Sequence, residues 1–262
     1  MNHSIKSVYN TYKFKNTVPY KGFNLTDKRE FTNCDAPEGG LYEGYVNSIT
    51  LQRDGQGLVI WNDNSIYDGW WYNDQPHGKG IKVFPNGDCY YGEFRRGKMT
   101  GKGSYHKEDD SKYEGGWLDN LQHGQGTQTW IDQHSYTGQW SKGKKHGQGH
   151  FQWPDGSGYK GEFSNDIFEG QGEYKWSDGK SYKGQWRQGK MSGKGLYKWG
   201  NSNQKYEGEF YNDKRHGIGT FTWDNGKIYT GHWVNGKMHG EGTFILPDGT
   251  RTLVTHENGV KV

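Results

Sequence analysis

The sequence has few of the residues that build an ordinary globular core. The apolar set AVILMFWYC accounts for 29% of its 262 residues, whereas typical soluble domains are roughly 45–50% apolar. Mean hydropathy is −1.17, and a composition this polar would by itself predict disorder. No stretch approaches the ~20 consecutive apolar residues of a membrane-spanning helix, so the sequence predicts no such span.

Cysteine is also scarce. Cys34 and Cys89 are the only two, and they cannot build a disulfide framework, which favours a reducing compartment. The first residues lack the apolar segment of a secretory signal and the Met-Gly start that N-myristoylation requires. We therefore expect a cytoplasmic protein. The net charge of +3 is too small to predict nucleic-acid binding.

Aromatic residues and glycine are abundant instead. The chain is 16% aromatic, with 12 Trp and 19 Tyr, and it contains 43 Gly. Each large ring can bury roughly 150–250 Å², while each glycine inside a helix costs about 1 kcal/mol relative to alanine. Together they predict β-structure made of small, repeated packing units.

The aromatic residues and glycines recur with a period of 23 residues. The tyrosines of this series are Tyr67, Tyr90, Tyr113, Tyr136, Tyr159 and Tyr182, followed after a one-residue insertion by Tyr206 and Tyr229, and preceded by Tyr42. A glycine stands two residues after each tyrosine, and from the second repeat onward an aromatic residue stands four residues after it: Trp71, Phe94, Trp117, Trp140, Phe163, Trp186, Phe210 and Trp233. A Gly-x-Gly pair follows, and most units close on a further ring, among them Trp61, Phe84, Trp130, Trp153, Trp176, Trp199 and Trp223.

These spacings predict β-hairpins. Side chains two residues apart share one face of a strand, and turns such as Ser141–Lys145 contain the glycine that a hairpin turn favours. The predicted fold is all-β: a single-layer, twisted, elongated antiparallel sheet of tandem β-hairpins. We expect each ring to cover the bare backbone of a glycine on a neighbouring strand, so that one face holds the core while the other is polar.

Two segments, Tyr113–Gly126 and Tyr136–Gly149, resemble MORN repeats in residues, spacing and order. The resemblance covers nine repeats over 42–251 and implies a MORN-repeat solenoid. Similar repeats occur in cytoskeletal and ciliary proteins and in membrane-associated proteins, where they serve as scaffolds and share no reaction, so we expect no enzyme activity and no cofactor. Residues 1–41 are then an N-terminal arm or a capping strand, and 252–262 a C-terminal half-repeat cap. The apolar residues proposed for that capping strand are Val18, Tyr20, Phe23, Leu25 and Phe31.

Histidines recur at one position of the repeat: His77, His123, His146, His216 and His239. Equivalent residues of successive hairpins lie two strands, or about 9.5 Å, apart, whereas a Zn–N bond is about 2.0–2.1 Å. We therefore predict no metal site, and expect each imidazole to bond a nearby turn backbone.

Basic residues concentrate at the hairpin turns, and acidic residues concentrate in the loops at the opposite ends of the strands. The basic residues predicted to bind a partner or anionic lipid are Arg95, Arg96, Lys98, Lys142, Lys144, Lys145, Arg187, Lys190, Lys214 and Arg215. The rings four residues after each tyrosine are predicted to line a groove for the same purpose. The alternative is that the charge pattern only aids solubility.

The leading functional hypothesis is a scaffold that binds a protein partner, either a cytoskeletal or ciliary component, or that binds an anionic membrane. A second hypothesis is a regulatory or targeting subunit of an enzyme supplied in trans, such as a phosphoinositide kinase. A third is a carbohydrate-binding repeat protein, although the histidine-glycine motif and the missing signal sequence count against it. A homodimer through the ends of the repeat array is a further hypothesis.

Overall fold

The computed structural model describes residues 29–262, and every regular element in that range is a β-strand. No helix long and apolar enough to cross a membrane occurs in this range. Four residues proposed for the N-terminal capping strand, at positions 18, 20, 23 and 25, lie outside the described residues. Phe31 lies inside them, in a strand that pairs antiparallel with the one carrying Tyr42.

The described chain forms two compact units, one of 29–131 with Trp140–Gly143 and the other of Asp132–Gln139 with Lys144–Val262. The strands of the first unit are β1 Arg29–Asp35, β2 Gly40–Asn47, β3 Arg53–Trp61, β4 Ile66–Tyr72, β5 Gln75–Val83, β6 Cys89–Arg95, β7 Lys98–His106, β8 Lys112–Leu118 and β9 Leu121–Thr129. Strand β10, Ser135–Ser141, contributes residues to both units. The strands of the second unit are β11 Lys144–Gln152, β12 Gly158–Ser164, β13 Ile167–Lys175, β14 Ser181–Arg187, β15 Lys190–Lys198, β16 Lys205–Tyr211, β17 Lys214–Thr222, β18 Ile228–Val234, β19 Lys237–Ile245, β20 Arg251–Glu257 and β21 Val260–Lys261.

Consecutive strands in each unit pair antiparallel. In the second unit, for example, β14 pairs with β13 on one side and with β15 on the other. Each core tyrosine lies in the first strand of a hairpin; Tyr182, for example, lies in β14, which forms a hairpin with β15 around Arg187–Lys190. The predicted all-β, single-layer arrangement of tandem antiparallel hairpins is confirmed.

A row of glycines crosses the strands of each unit. In the second unit Gly172 pairs with Gly184, and Gly184 with Gly195. The ring of Tyr182 lies directly on this row, since a Cβ added to Gly195 would stand 2.4 Å from the tyrosine ring. The nine core tyrosines are at most 1% exposed. The expectation that a ring covers a bare glycine backbone is therefore confirmed for the core tyrosines.

A β-bulge occurs in most of the hairpins and was not predicted. The register of β14 with β15 shifts between Gly184 and Trp186, and Gly193, the first glycine of the Gly-x-Gly pair, adopts φ +64°. The Tyr182 hydroxyl donates to the Gln185 carbonyl at 2.9 Å, and the Gln185 side-chain oxygen accepts the Lys194 N–H at 2.9 Å. The tyrosine and the glutamine thus satisfy backbone groups that the irregular ladder leaves unpaired.

The ring four residues after each tyrosine connects successive hairpins. Trp186 meets its own Tyr182 edge to face at 5.1 Å and the preceding Tyr159 at 5.4 Å between ring centroids. Its indole N–H donates to the Gly172 carbonyl at 3.2 Å. The same bond to the preceding hairpin recurs at Trp71, Trp117, Trp140 and Trp233. Packing between neighbours therefore stabilises the array, as expected of repeat proteins.

The face opposite the tyrosines differs between the units. In the second unit it carries exposed polar side chains such as Gln148, Gln185 and Glu209, as predicted. In the first unit it also carries a buried apolar cluster of Ile66, Ile81, Val83 and Cys89, each at most 5% exposed, with Leu58 and Tyr91 packed against it. The prediction of a uniformly polar face is therefore wrong for the first unit.

We predict that Gly195→Ala destabilises the protein by at least the 1–3 kcal/mol or so that overpacking usually costs, because the new methyl group would overlap the Tyr182 ring. Urea unfolding measures the change. Gly158→Ala is the matched control, since that glycine has no left-handed φ and its nearest heavy atom would be 3.3 Å away. Equal stability of Gly195→Ala and the wild type would contradict the proposed packing.

Candidate binding site

The rings predicted to line a groove belong to the core. Their side chains are only 0 to 7% exposed; the residues are Trp71, Phe94, Trp117, Trp140, Phe163, Trp186, Phe210 and Trp233. Each is held between tyrosine rings of successive hairpins, as described for Trp186. The expectation of an open groove lined by these residues is thus corrected, because neighbouring rings already cover their surfaces.

A second set of rings remains partly exposed on the same face. We call this set the ring row; it lies in the second unit and comprises Phe151, Trp153, Tyr174, Trp176, Tyr197, Trp199, Phe221, Trp223 and Phe244. All are partly exposed except Phe221, which is 7% exposed. They stand near the end of the second strand of each hairpin, beyond the point where the core tyrosine covers the sheet.

The ring row is continuous. Rings two residues apart on one strand have centroids 4.5 or 4.6 Å apart. Rings facing each other across successive hairpins are 5.3 to 6.0 Å apart. These are contact distances for tilted and edge-to-face aromatic pairs, so nine rings make one apolar surface. The sequence contained the signal, since four of the closing tryptophans of the repeat lie in this row.

The equivalent surface of the first unit is interrupted. Lys82 and Gln128 replace rings at the first position of the pair, and Lys107 replaces one at the second. The Lys82 ammonium lies 5.2 Å from the Phe84 centroid and 5.7 Å from that of Trp61. Burial lowers the pKa of Lys82. A similar contact occurs in the ring row, where the Lys227 ammonium lies 4.0 Å from the Phe244 centroid.

Acidic turns border the ring row. In each repeat of the second unit an aspartate stands one or two residues after the last ring of the strand, or after the residue at the equivalent position. These residues are Asp155, Asp178, Asp224 and Asp248. A hydrogen bond from the Ser157 side chain holds the pKa of Asp155 below its usual range, and Lys180 does the same for Asp178. Asp155 and Asp178 are therefore negatively charged at neutral pH.

The residues predicted as basic binding sites divide into two groups. Eight are exposed at or beside hairpin turns: Arg95, Arg96, Lys98 and Lys142 in the first unit, and Lys144, Arg187, Lys190 and Lys214 in the second. The other two, Lys145 and Arg215, turn inward onto the rings. The Lys145 ammonium pairs with Asp166 at 3.2 Å and lies 5.9 Å from the Tyr136 centroid.

The Arg215 side chain both contacts a ring and donates a hydrogen bond to the backbone. Its guanidinium carbon lies 4.3 Å from the Trp233 centroid, and Nη2 donates to the Gly236 carbonyl at 2.8 Å. Burial lowers the pKa of Arg215. Arg215 pairs with Phe210 in the hairpin register, which places its side chain on the ring face. Arg215 and Lys145 are thus partly buried against the core rings instead of standing exposed at the turns, and their role in binding stays a prediction.

The recurring histidines follow their predicted role only in part. The His239 Nδ1 atom accepts the N–H of Asn258 in a turn at 3.3 Å. The Nδ1 atoms of His123 and His216 are buried and have no hydrogen-bond partner. Within residues 29–262 no group of three or more His, Cys, Asp or Glu side chains is arranged to hold a metal ion.

We predict that Arg215→Ala lowers the free energy of unfolding by about 1–3 kcal/mol, because it removes a partly buried charged hydrogen bond and the contact with Trp233. Thermal or urea unfolding checks this. The exposed neighbour Lys214→Ala provides the control and should change stability by less than about 0.5 kcal/mol. An equally small effect of Arg215→Ala would show that the contacts of the Arg215 side chain contribute nothing to stability.

The MORN repeat family model matches eight consecutive segments: 67–89, 90–112, 113–135, 136–158, 159–181, 182–204, 206–228 and 229–251. The preceding hairpin lies outside the match but has the same geometry. Its Tyr42 hydroxyl donates to the Tyr45 carbonyl at 2.7 Å, and Gly44 pairs with Gly57.

Curated relatives and solved structures share parts of this pattern. Alsin of Rattus norvegicus is 34% identical over 71 residues, which cover 23% of this chain and 4% of Alsin. Alsin of Homo sapiens is 43% identical over 42 residues, which cover 16% of this chain and 2% of Alsin. The alignments with this chain thus span only a few per cent of the length of these relatives.

Two solved domains have a partly similar backbone. A mutant of the TCP10 domain of Danio rerio CPAP matches with 13% identity and a TM-score of 0.43, covering 78% of this chain and 96% of that one. The second is the SAS-4 TCP domain of Drosophila melanogaster in complex with a proline-rich motif of Ana2. It has 9% identity and a TM-score of 0.19, and the match covers 92% of this chain and 100% of that one. Neither likeness bears on function at these scores.

The family match extends over more than half of the chain, and its segments coincide with the observed hairpins. The chain therefore belongs to the MORN repeat family, whose repeats commonly mediate protein or membrane interactions.

Proposed function

We propose that this chain is a non-catalytic scaffold that holds a segment of a protein partner against the ring row of the second unit. The observation that supports this most strongly is the partial exposure of a continuous aromatic surface. Aromatic side chains with accessible faces supply much of the binding energy at protein interfaces. The core tyrosines and their neighbours already stabilise the fold, which leaves the exposed parts of the ring row available for a partner.

The spacing of the ring row suits an extended segment. Equivalent rings of successive hairpins are two strands, or about 9.5 Å, apart, while an extended chain advances about 3.3 Å per residue. A partner segment running along the row therefore passes one hairpin about every three residues. Four hairpin-to-hairpin steps, from Phe151 to Phe244, correspond to about twelve residues. Family resemblance favours a cytoskeletal or ciliary partner.

The exposed basic turns support a second binding mode, to an anionic membrane. In the second unit Arg187, Lys190 and Lys214 are all exposed at or beside turns. Each basic residue near an anionic lipid surface contributes about 1 kcal/mol. A scaffold that binds a protein through its rings and a membrane through its turns would link the two.

We predict that replacing Trp176 and Trp199 together with leucine removes the protein partner. Affinity purification of the full chain from its native cell, followed by mass spectrometry, compares this variant with the wild type and with Lys194→Ala. Lys194 is exposed in the same hairpin as Trp199, on the opposite face. Proteins lost only with the tryptophan variant are the partners, and an unchanged set would refute binding through the ring row. A stoichiometric kinase or transferase among them would favour the regulatory-subunit hypothesis.

We predict that vesicles of phosphatidylcholine and phosphatidylserine co-sediment the protein at low salt. The triple variant of Arg187, Lys190 and Lys214 to alanine should weaken this binding about fivefold per charge removed. Replacement of the exposed Lys160, Lys175 and Lys198 removes the same charge elsewhere in the second unit and is the control. Absence of co-sedimentation at low salt, or equal loss with both triple variants, would mean that the turns have no specific role in membrane binding.

A further inference from the structure

Lys227 lies between two successive hairpins of the ring row. We call the space between the last ring of one hairpin and the facing ring of the next a gap. Its ammonium lies 4.0 Å from the Phe244 centroid and 5.6 Å from the Trp223 centroid, which belong to successive hairpins. A cation within about 6 Å of a ring centroid is attracted by the negative face of that ring. The chain therefore already places one primary ammonium group in a gap between two hairpins of the row.

The equivalent gaps nearer the start of the row are filled differently. The residue at the Lys227 position is Ser157 between Trp153 and Tyr174, and its short side chain bonds Asp155 at 2.6 Å. In the next gap the residue is Lys180, but its ammonium pairs with Asp178 at 2.6 Å.

Each of these gaps is bordered by a fixed carboxylate. Asp155 accepts the Ser157 N–H at 2.9 Å, and Asp178 accepts the Lys180 N–H at 3.1 Å. Both bonds hold the carboxylate in its turn, two residues after Trp153 and Trp176 respectively. An aromatic face beside a carboxylate is the pairing that binds ammonium and guanidinium groups, through cation–π attraction and charged hydrogen bonds.

We infer that the partner segment held by the ring row is basic and extended, with lysine or arginine side chains entering the gaps between successive hairpins as Lys227 does within this chain. This inference rests on the proposed function and names the chemical class of its partner. One gap occurs per hairpin, so the basic residues are spaced about three apart along the partner. The mode combines groove binding of an extended peptide with recognition of its cations.

Fluorescence anisotropy with three labelled thirteen-residue peptides tests this. One carries lysine at every third position, separated by Gly-Ser; the second has glutamine and the third glutamate in place of lysine. At low salt the lysine peptide should bind at least about tenfold more tightly than the glutamine peptide, and the glutamate peptide should bind least. Full-length protein is used throughout, and a melting curve for each variant confirms that it is folded.

Variants of the second unit separate the contribution of the rings to peptide binding from the contribution of the charged residues. Trp176→Leu keeps an apolar side chain but removes the aromatic face, and should weaken binding of the lysine peptide about two- to fivefold. Asp178→Asn should weaken it by a similar factor. Lys180→Ala should strengthen it, because it opens the gap and frees Asp178. Gln171→Ala, exposed on the opposite face, is the control and should leave binding unchanged.

The outcomes distinguish the inference from the function on which it rests. If the glutamine peptide binds as tightly as the lysine peptide and Trp176→Leu weakens both, the ring row is a binding site and the basic partner is refuted. If the lysine peptide does not bind, or if its binding depends on Asp178 but not on Trp176, the inference is refuted as well. In the latter case the interaction is only a general charge attraction.

Discussion

The contact between a tyrosine ring and a glycine backbone on the neighbouring strand is the interaction on which the rest of this structure depends. A single-layer sheet has no second layer to cover its apolar surface, so the core must form within the sheet. The glycine row allows this because it has no side chains, and the rings approach the backbone closely enough that a Cβ on Gly195 would overlap Tyr182. Each tyrosine hydroxyl except that of Tyr229 then bonds a carbonyl at the bulge.

The second strong constraint is the coupling of one hairpin to the next. A lone hairpin is marginally stable at best in water, and here the ring four residues after each tyrosine contacts two hairpins at once. Where it is tryptophan, its indole N–H adds a bond to the preceding glycine carbonyl. Stability therefore accumulates along the array, which is how repeat proteins tolerate a low content of aliphatic residues.

The proposed binding surface consists of the rings that this core leaves partly exposed. The tyrosines cover the middle of each strand, while the rings near the strand ends are partly exposed and contact one another in the second unit. The acidic turns stand beside these same rings, because the turn begins at the last ring of the strand. An apolar surface and a row of negative charge thus arise from one repeat unit, and this combination is the basis for proposing a basic partner.

Period, hairpin class and turn positions were determined by the sequence itself, because they depend on contacts between residues near one another in the chain. The spacing of tyrosine, glycine and ring residues predicted the strands, and the close approach of ring to glycine followed from side-chain alternation. Which rings remain exposed was decided only by the tertiary structure. The sequence predicted a groove lined by Trp186, yet Trp186 is buried between two tyrosines, whereas Trp176 of the closing set stands in the ring row. Arg215 and Lys214 likewise differ by one position but face the core and the solvent respectively. Exposure depends on neighbours contributed by successive hairpins and on the bulge that interrupts simple alternation, and neither can be read from residue types along one strand.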